Sequence, residues 1–440
     1  MNILILDNAG LALDFSMRAV DCGHKVKHYI PESPMTKYIG VGLSEIVRDY
    51  KPWINWADLI FLPDNIHYQA LTDKLKAQGG GPAVFGATKE SASWEIDRKK
   101  GMDMFKRAGI ETAPYQIFTK MDEAIRYIKK TKKRYVAKPT GDDGSDKTIA
   151  YCAKGTADML FMMEKVRKQE GNSPFMLQEF IPGTEMAVGG WLGPHGFNSA
   201  YCENWEFKKF LNGDLGVNTG EMGTVLRYTT NSKLAKKVLT PLEDLLVSTG
   251  HTGYVDVNCM VDEEGTPWPL EFTMRPGWPT FNIQQVLHTG DCAEWMLDVC
   301  NGLDQKNTLR STVAIGVYIA IPDFPYANRS IEEIKGTPLY GVTEGLLKWF
   351  HPLELMAGMA PKEIAGEIVS CPMLVSAGSS LCVITATGQN IKEAQEKVYR
   401  RVKKLSSPAS LMYRTDIGTR LKKQLPTLQA KGYAQGLIFS

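Results

Sequence analysis

The hydrophobic pattern at the start of the chain predicts a small parallel α/β unit. Residues 3–6 form an apolar run typical of a buried strand, and helical periodicity follows up to about Cys22. Further strands are predicted at residues 25–29 and 58–62, and a helix at residues 69–78. Alternating strands and helices are typical of a parallel sheet with helices on its faces.

The next segment predicts a small α+β insert. One helix is expected over residues 93–108, because Ala108-Gly109 is a helix-ending signal. A strand, a helix and two strands are then predicted, at residues 115–118, 121–130, 135–138 and 176–181. A larger unit follows, with a helix around residues 291–301.

A third region begins at Ser311. Strands are predicted at residues 313–321 and 381–385, and a helix at residues 391–404. The polar tail after Arg420 is expected to be loosely attached. The pattern therefore divides the chain into four parts. These are an N-terminal unit (residues 1–90), a central unit (91–310) that contains the insert (112–182), a C-terminal unit (311–425) and a tail (426–440).

Composition excludes several classes of protein. With 43% hydrophobic and 23% charged residues, the 440-residue chain has the usage of an ordinary globular protein. A net charge of +2 gives no argument for nucleic acid. The eight cysteines include no CxxC pair and the seven histidines show no ligand spacing, so neither a zinc site nor a disulfide framework is expected. Reduced thiols, the lack of an apolar run of membrane-spanning length and an N-terminus that opens into a strand predict a cytoplasmic protein.

A predicted hairpin near residue 260 carries candidate metal ligands. Residues 253–258 alternate like a strand, residues 262–265 are a turn signal, and residues 268–272 are expected to return. Asp256, Asn258 and Glu271 can then face one pocket, and such oxygens suit Mg²⁺. Arg275 follows as a fixed cation for a phosphate or carboxylate. The alternative is an ordinary hairpin with a polar edge.

Two other segments are candidate nucleotide contacts. Lys138 leaves a strand before a polar, glycine-bearing loop that reaches Lys147, which suits phosphate, although these residues alone favour an exposed lysine before a surface loop. Free backbone groups of Glu179-Phe180-Ile181 could bind an adenine edge and Glu185 a ribose, whereas Phe180 and Ile181 could simply be core.

A further loop is a candidate site for a small anion. Lys208 and Lys209 precede the loop 216–223, in which Asn218 and Thr219 lie among glycines. Backbone N–H groups of such a loop can approach an anion closely.

The order of these features resembles the ATP-grasp enzymes, and among them glycinamide ribonucleotide synthetase (phosphoribosylamine–glycine ligase), over about residues 90–425. Val217-Asn-Thr-Gly-Glu-Met-Gly223 is similar to that family's Pro-Asn-Thr-Gly-Gly-Met-Gly loop, and Glu271-Phe-Thr-Met-Arg275 to its Glu-Phe-Asn-x-Arg. The resemblance also rests on residues 110–118, the hinge-like Glu179-Phe-Ile-Pro-Gly-Thr-Glu185, residues 388–399 and Tyr413-Arg-Thr-Asp-Ile-Gly418.

This resemblance implies a fold and a reaction. The fold is α/β, an ATP-grasp domain between an N-terminal parallel α/β (pre-ATP-grasp) domain and a C-terminal α+β domain, with a small nucleotide-clamping subdomain. ATP would phosphorylate a glycine-like carboxylate, and an amine would attack the acyl phosphate to give an amide, ADP and phosphate. ATP and Mg²⁺ (or Mn²⁺) are the implied cofactors.

Roles carry over by position. Arg98, Lys138 and Lys147 would contact the nucleotide phosphates, Glu179, Phe180 and Ile181 the adenine, and Glu185 the ribose. The implied metal ligands are Glu271, assisted by Asn258 or Asp256, and Thr273, which stands where the family has asparagine. Arg275 would steady the acyl phosphate, while Lys208 and Asn218 would act in catalysis beside a loop that lines the carboxylate pocket.

The segments expected to bind the amine depart from the family. Its Gly-Arg-Glu-His loop, which cradles a sugar phosphate, is here Asp7-Asn-Ala-Gly-Leu-Ala-Leu13, and its Gly-Pro-Glu-Ala is Leu62-Pro-Asp-Asn65. Its Gly-Gly-Tyr-Pro is here Ile321-Pro-Asp-Phe-Pro325, and its Phe-Gly-Asp-Pro-Glu is Pro276-Gly-Trp-Pro-Thr280. Leu11 and Leu13 remove N–H access to a phosphate.

Three hypotheses follow. The chain joins phosphoribosylamine and glycine in purine biosynthesis, or it joins an amino acid to another amine, such as one on a modified nucleotide or nucleic acid. The third is a degenerate ATP-binding protein that has lost turnover, as Thr273 could indicate. No membrane partner is expected.

Overall fold

A five-stranded parallel sheet forms the N-terminal unit. The computed structural model describes residues 1–140, 150–168, 174–304 and 309–440. The sheet order is β3-β2-β1-β4-β5, with β1 (Asn2–Leu6), β2 (Lys25–Tyr29), β3 (Ile46–Val47), β4 (Leu59–Phe61) and β5 (Ala83–Phe85). Helices α1 (Leu13–Asp21) and α2 (Gln69–Gln78) complete it. The predicted alternation of strands and helices is confirmed.

Two short helices lead out of this unit: α3 (Lys89–Ile96) and α4 (Arg98–Arg107). The prediction of one helix over residues 93–108 is wrong, because Asp97 has extended φ/ψ of −94° and 98°. Its side chain accepts a hydrogen bond from the Lys100 N–H at 3.1 Å and so caps α4. The break places Arg98 at the first position of a new helix.

A four-stranded sheet with two helices forms the insert. The order is β6-β9-β7-β8, with β6 (Tyr115–Phe118), α5 (Met121–Thr131), β7 (Tyr135–Pro139), β8 (Tyr151–Cys152), α6 (Thr156–Arg167) and β9 (Phe175–Glu179). Its own core includes Phe118, Ile128 and Leu177. The small α+β unit expected here is confirmed, and Lys138 leaves it at the end of β7.

A nine-stranded sheet is the centre of the molecule, in the order β17-β16-β10-β12-β15-β18-β22-β19 with β11 beside β10. Its strands are β10 (Thr184–Gly193), β11 (Gly196–Phe197), β12 (Tyr201–Glu206), β15 (Gly223–Thr229), β16 (Gly253–Val261), β17 (Pro267–Thr273), β18 (Val313–Ala320), β19 (Phe350–Pro352) and β22 (Ser380–Gly388). Since β18, β19 and β22 follow residue 310, the sheet continues across the boundary predicted there.

Two hairpins and further helices surround this sheet. The hairpins are β13 (Lys209–Leu211) with β14 (Leu215–Asn218), and β20 (Leu355–Ile364) with β21 (Glu367–Ser376). The helices are α7 (Lys233–Val238), α8 (Glu243–Ser248), α9 (Thr280–Gln285), α10 (Cys292–Cys300), α11 (Ile331–Ile334), α12 (Glu344–Leu347), α13 (Ile391–Val402) and α14 (Leu421–Ala430). In the described parts of the chain, no helix is both long and apolar enough to cross a bilayer.

The tail after Arg420 is part of the core, so the prediction that it is loosely attached is wrong. Leu421, Leu425 and Leu428 of α14 are buried in the same hydrophobic cluster as the central sheet. The buried Tyr433 hydroxyl donates to the Gly265 carbonyl at 2.7 Å. Apolar residues spaced along α14 outweigh the polar composition that suggested a free tail.

A buried carboxylate joins the N-terminal unit to the rest of the molecule. Asp14 of α1 accepts hydrogen bonds from Arg18 (2.7 Å), His351 (2.7 Å), Asn282 (3.2 Å) and Gln285 (2.8 Å). Burial would raise the pKa of Asp14, but Arg18 and His351 outweigh burial and lower it to about 2. One ionised side chain thus joins residues that are more than 260 positions apart in the sequence.

Asp14→Asn should lower the melting temperature, because it leaves the buried donors around this position without their anion. Losing one partner of a buried ion pair costs roughly 3 kcal/mol. The folded pKa lies below the usual 3.8, so the contribution is present above about pH 4 and is lost as pH falls through the folded value. Thermal melts of both proteins should therefore converge towards pH 2.

The matched control is Asp21→Asn, an exposed carboxylate at the end of the same helix. Its free energy of unfolding should lie within about 0.5 kcal/mol of that of the wild type. If Asp14→Asn and Asp21→Asn had the same melting temperature at pH 7, that result would contradict the role assigned to Asp14.

Candidate functional site

The predicted hairpin of β16 and β17 is confirmed, and its polar residues share one face. Asp256 lies opposite Thr273 and Asn258 lies opposite Glu271 in the antiparallel register. A register shift follows between Asn258 and Cys259. Directly opposed residues of paired strands project to the same side, so the period of two places four oxygen-bearing side chains together.

Glu271 is held by cations from two other elements. Arg98 at the start of α4 donates to Glu271 Oε2 at 2.6 Å, and Lys208 Nζ lies 3.4 Å from Oε1. Burial would raise the pKa of Glu271, but the cations around it, chiefly Arg98 and Lys208, hold it well below its usual range. Glu271 is therefore a permanent anion at this position.

Lys208 is surrounded by three carboxylates. Its ammonium lies 3.1 Å from Glu206, 3.4 Å from Glu271 and 3.5 Å from Glu185. Burial opposes the charged form, yet the carboxylates, Glu206 foremost, raise the pKa of Lys208 well above its usual value. Sequence reasoning missed Glu206. Its position two residues before Lys208, at the end of β12, was the available signal.

Lys138 reaches the same cluster from the insert. Its ammonium donates to the Leu270 carbonyl of β17 at 3.1 Å. Burial lowers the pKa of Lys138 to about 8, with Glu271 opposing the shift and Arg98 reinforcing it. Lys147 and the rest of the loop 141–147 lie outside the described residues.

The segment after β9 is more constrained than the sequence indicated. The N–H groups of Glu179 and Phe180 donate to the carbonyls of Pro114 (2.8 Å) and Arg134 (3.0 Å), so they are not free for an adenine edge. The Arg134 guanidinium also stacks 3.3 Å from the Phe180 ring centroid, and Glu179 pairs with Lys133 at 2.6 Å. Described residues supply no partner for the Ile181 N–H, which leaves this donor for a ligand.

Asp256 is as buried as Asn258, with 4% of each residue exposed. Its carboxylate accepts hydrogen bonds from Asn204 (2.8 Å) and Tyr254 (3.0 Å). Burial, reinforced by the charge of Glu206, raises the pKa of Asp256 to about 7. The half-buried Thr273 faces it across the hairpin. The Asp256 carboxylate is therefore already engaged by two protein donors.

The donor set suits Mg²⁺ shared with phosphates and does not suit a closed cage. No group of three or more His, Cys, Asp or Glu within the described ranges could hold a metal alone. The Asn258 amide nitrogen donates to Glu206 at 3.1 Å, which leaves its oxygen available beside Glu271. Mg²⁺ is commonly bound by one or two protein carboxylates with substrate phosphates completing its shell, and Glu271 with Asn258 fits that pattern.

Arg275 is positioned by a second residue that sequence reasoning missed. Glu95 of α3 pairs with Arg275 at 3.1 Å and accepts the Met274 N–H at 2.6 Å. It also accepts from the Asn65 side chain of the N-terminal unit at 2.8 Å. No local motif marks Glu95, because its partners are about 30 and 180 residues away.

The glycine-bearing loop divides into an exposed and a buried half. Asn218 is exposed and lies opposite Lys209 in the β13–β14 hairpin, outside the contacts of the charged cluster. Thr219 donates to the Lys208 carbonyl through its N–H (2.8 Å) and its hydroxyl (2.9 Å). Glu221, where the resembling family has glycine, turns inwards and accepts from Thr280 at 3.1 Å.

Residues 98–280 match the family model described as phosphoribosylglycinamide synthetase, ATP-grasp (A) domain. The phosphoribosylamine–glycine ligase of Salmonella typhimurium is 27% identical over 355 residues, covering 78% of this chain and 79% of that protein. The enzyme of the same name from Haemophilus influenzae is 27% identical over 358 residues, covering 77% and 78%.

Solved structures agree in fold. The phosphoribosylamine–glycine ligase of Thermotoga maritima superposes with a TM-score of 0.71 at 20% identity, covering 95% of this chain and all of that one. An N5-carboxyaminoimidazole ribonucleotide synthetase in complex with ADP gives a TM-score of 0.59 at 16% identity, covering 91% and 96%. The chain has the ATP-grasp fold, and it is an ATP-grasp ligase that resembles the phosphoribosylamine–glycine ligases.

Proposed function

We propose that the protein is an ADP-forming carboxylate–amine ligase that uses ATP and Mg²⁺ (or Mn²⁺) to join glycine or a similar amino acid to an amine. The observation that carries this proposal is the charged cluster around Glu271. Arg98 and Lys208 pair with this carboxylate, and Lys138 lies close enough to lower its pKa, each from a different segment of the chain. Such convergent charges suit a nucleotide triphosphate and its metal ion.

The nucleotide would lie between the insert and the central sheet. Arg98 and Lys138 would neutralise phosphate oxygens, which lowers the cost of bringing a polyanion next to a carboxylate. The unpartnered Ile181 N–H would meet the adenine edge and Glu185 the ribose hydroxyls. Glu271 and Asn258 would hold Mg²⁺, which supplies further neutralisation of phosphate charge when it is bound.

The acid would be activated as an acyl phosphate. Its carboxylate oxygen attacks the terminal phosphorus of ATP, and ADP leaves with the electron pair of the broken P–O bond. Arg275, fixed by Glu95, would hold the acyl phosphate in place. The amine then attacks the acyl carbon, the C–O bond to phosphate breaks, and the amide and phosphate are released. Positioning and charge neutralisation are the protein's contribution to both steps.

The main role proposed for Lys208 is to neutralise the surrounding carboxylates, in addition to any contact with the acid substrate. Its ammonium separates Glu185, Glu206 and Glu271, which would otherwise repel one another. When ATP and its metal enter, the same ammonium can turn to the terminal phosphate. The relatives' name specifies phosphoribosylamine as the amine and glycine as the acid. The acid proposed for this chain is glycine or a similar amino acid.

Glu271→Ala should abolish turnover without unfolding the protein, because it removes the anion around which the cations are arranged. Loss of one such electrostatic group typically lowers kcat by about 100-fold or more. Hydroxylamine can replace the unknown amine, so the assay measures glycine hydroxamate and phosphate formed from ATP and glycine.

The matched control is Glu264→Ala, an exposed glutamate in the turn of the same hairpin. It should keep wild-type hydroxamate formation. Full activity in Glu271→Ala, with a normal thermal melt, would refute the proposed role of this carboxylate.

Affinity for ATP should fall as pH rises above about 8, because Lys138 loses its proton there. Only the protonated form attracts phosphate, so the Kd should rise by up to about tenfold for each pH unit beyond that point. Titration calorimetry with MgATP from pH 7.5 to 9.5 measures this Kd. Lys138→Arg should bind with little change across that range, since arginine stays charged. An equally steep decline in Lys138→Arg would assign the effect to another group.

A further inference from the structure

A cavity next to the charged cluster joins three parts of the chain. It has a volume of about 180 Å³. Gly10 and Leu11 come from the N-terminal unit, Glu221 and Trp278 from the central unit, and Tyr318 and Glu354 from the region after residue 310. Apolar cavities of roughly 150 Å³ can hold one benzene ring, so this cavity has room for about one ring and a short side chain.

The ionisable groups on its walls are acidic. Glu221 and Glu354 line it, and no described lysine, arginine or histidine does. Glu354 accepts the Ser380 N–H at 2.8 Å. Trp278, Tyr318 and Phe324 supply aromatic surface, and the last two pack with ring centroids 5.4 Å apart. Aromatic faces beside carboxylates suit a cation with an apolar body.

Glu221 presents an unused hydrogen-bond acceptor. The residue is only 5% exposed. Thr280 donates to its Oε2, whereas Oε1 is buried with no partner among the described residues. A buried carboxylate oxygen without a donor is costly, and a ligand N–H group would remove that cost. Burial, with the charge of Glu206 adding to it, raises the pKa of Glu221 well above its usual value, and a cation bound beside it would favour the ionised form.

The N-terminal loop already uses two of its backbone donors. Asp7 is fully buried, and its carboxylate accepts the N–H groups of Ala9 at 3.2 Å and Ala12 at 2.7 Å. These two amides are not free for a ligand, and a phosphate placed beside Asp7 would meet like charge.

The cavity adjoins the site of acid activation. Thr219, two residues before Glu221, is bonded to the Lys208 carbonyl, and the Lys208 ammonium contacts Glu271. The loop therefore connects the two sites within a few residues. Glu221 also lies close enough to Glu206 and Lys208 for their charges to act on its carboxyl group.

We propose that this cavity binds the acceptor, and that the acceptor is a phosphate-free primary amine with a flat apolar body whose nitrogen hydrogen-bonds to Glu221 Oε1. The inference rests on the proposed ligase function and narrows its second substrate. Glu221 stands where the resembling family loop has glycine.

Titration calorimetry on the full chain tests this with two probes, phenethylamine and O-phosphoethanolamine. Wild-type protein should bind phenethylamine at least tenfold more tightly. Glu221→Gln and Glu221→Gly should each weaken phenethylamine binding by tenfold or more, while the exposed-turn control Glu264→Gln should not. Tighter binding of O-phosphoethanolamine, or unchanged binding of phenethylamine in both Glu221 variants, would overturn the proposal.

A second assay separates this inference from the function on which it rests. Wild-type protein with ATP, glycine and hydroxylamine reports acid activation without using the cavity's ligand. Hydroxamate formation together with a preference for O-phosphoethanolamine would refute the acceptor class alone. Phenethylamine binding that depends on Glu221, without any hydroxamate, would refute the ligase function and leave the cavity's ligand class standing.

Discussion

The ammonium of Lys208 is the interaction on which the site depends. Three carboxylates from β10, β12 and β17 surround it within 3.5 Å, and without a central cation they would repel one another in a partly buried setting. Arg98 and Lys138 balance the charge that remains on Glu271. This neutralisation allows one strand hairpin, one helix start and the insert to meet at one point, and that meeting point is where a nucleotide and its metal ion can be bound.

The two halves of the proposed reaction are served by opposite electrostatics. The nucleotide side is rich in cations, each held by a carboxylate and therefore preorganised. The proposed acceptor side is acidic and aromatic, with Glu221 and Glu354 on its walls, and Asp7 accepts the N–H groups of Ala9 and Ala12 nearby. The fold is similar to that of a phosphoribosylamine–glycine ligase. Fold alone does not fix a substrate, and local residues do.

Features with a local period were predictable from the sequence, and features made by distant partners were not. The alternation of residues 253–258 placed Asp256, Asn258 and Glu271 on one face, and the hairpin confirms that arrangement. The break at Asp97 was missed because a capping aspartate interrupts an otherwise helical pattern. Glu95 carries no motif, and the contacts of Glu95, Glu206 and Glu221 come from distant parts of the fold. The tail was misjudged because composition hid the apolar spacing of α14.

The fate of a carboxylate oxygen tests the central claim most directly. Wild-type protein would be given MgATP, hydroxylamine and glycine labelled with ¹⁸O in both carboxylate oxygens, and the released phosphate analysed by mass spectrometry. An acyl phosphate requires that each phosphate released carry one labelled oxygen, with ADP as the other product. Unlabelled phosphate, or labelled AMP together with unlabelled pyrophosphate, would contradict the proposed chemistry.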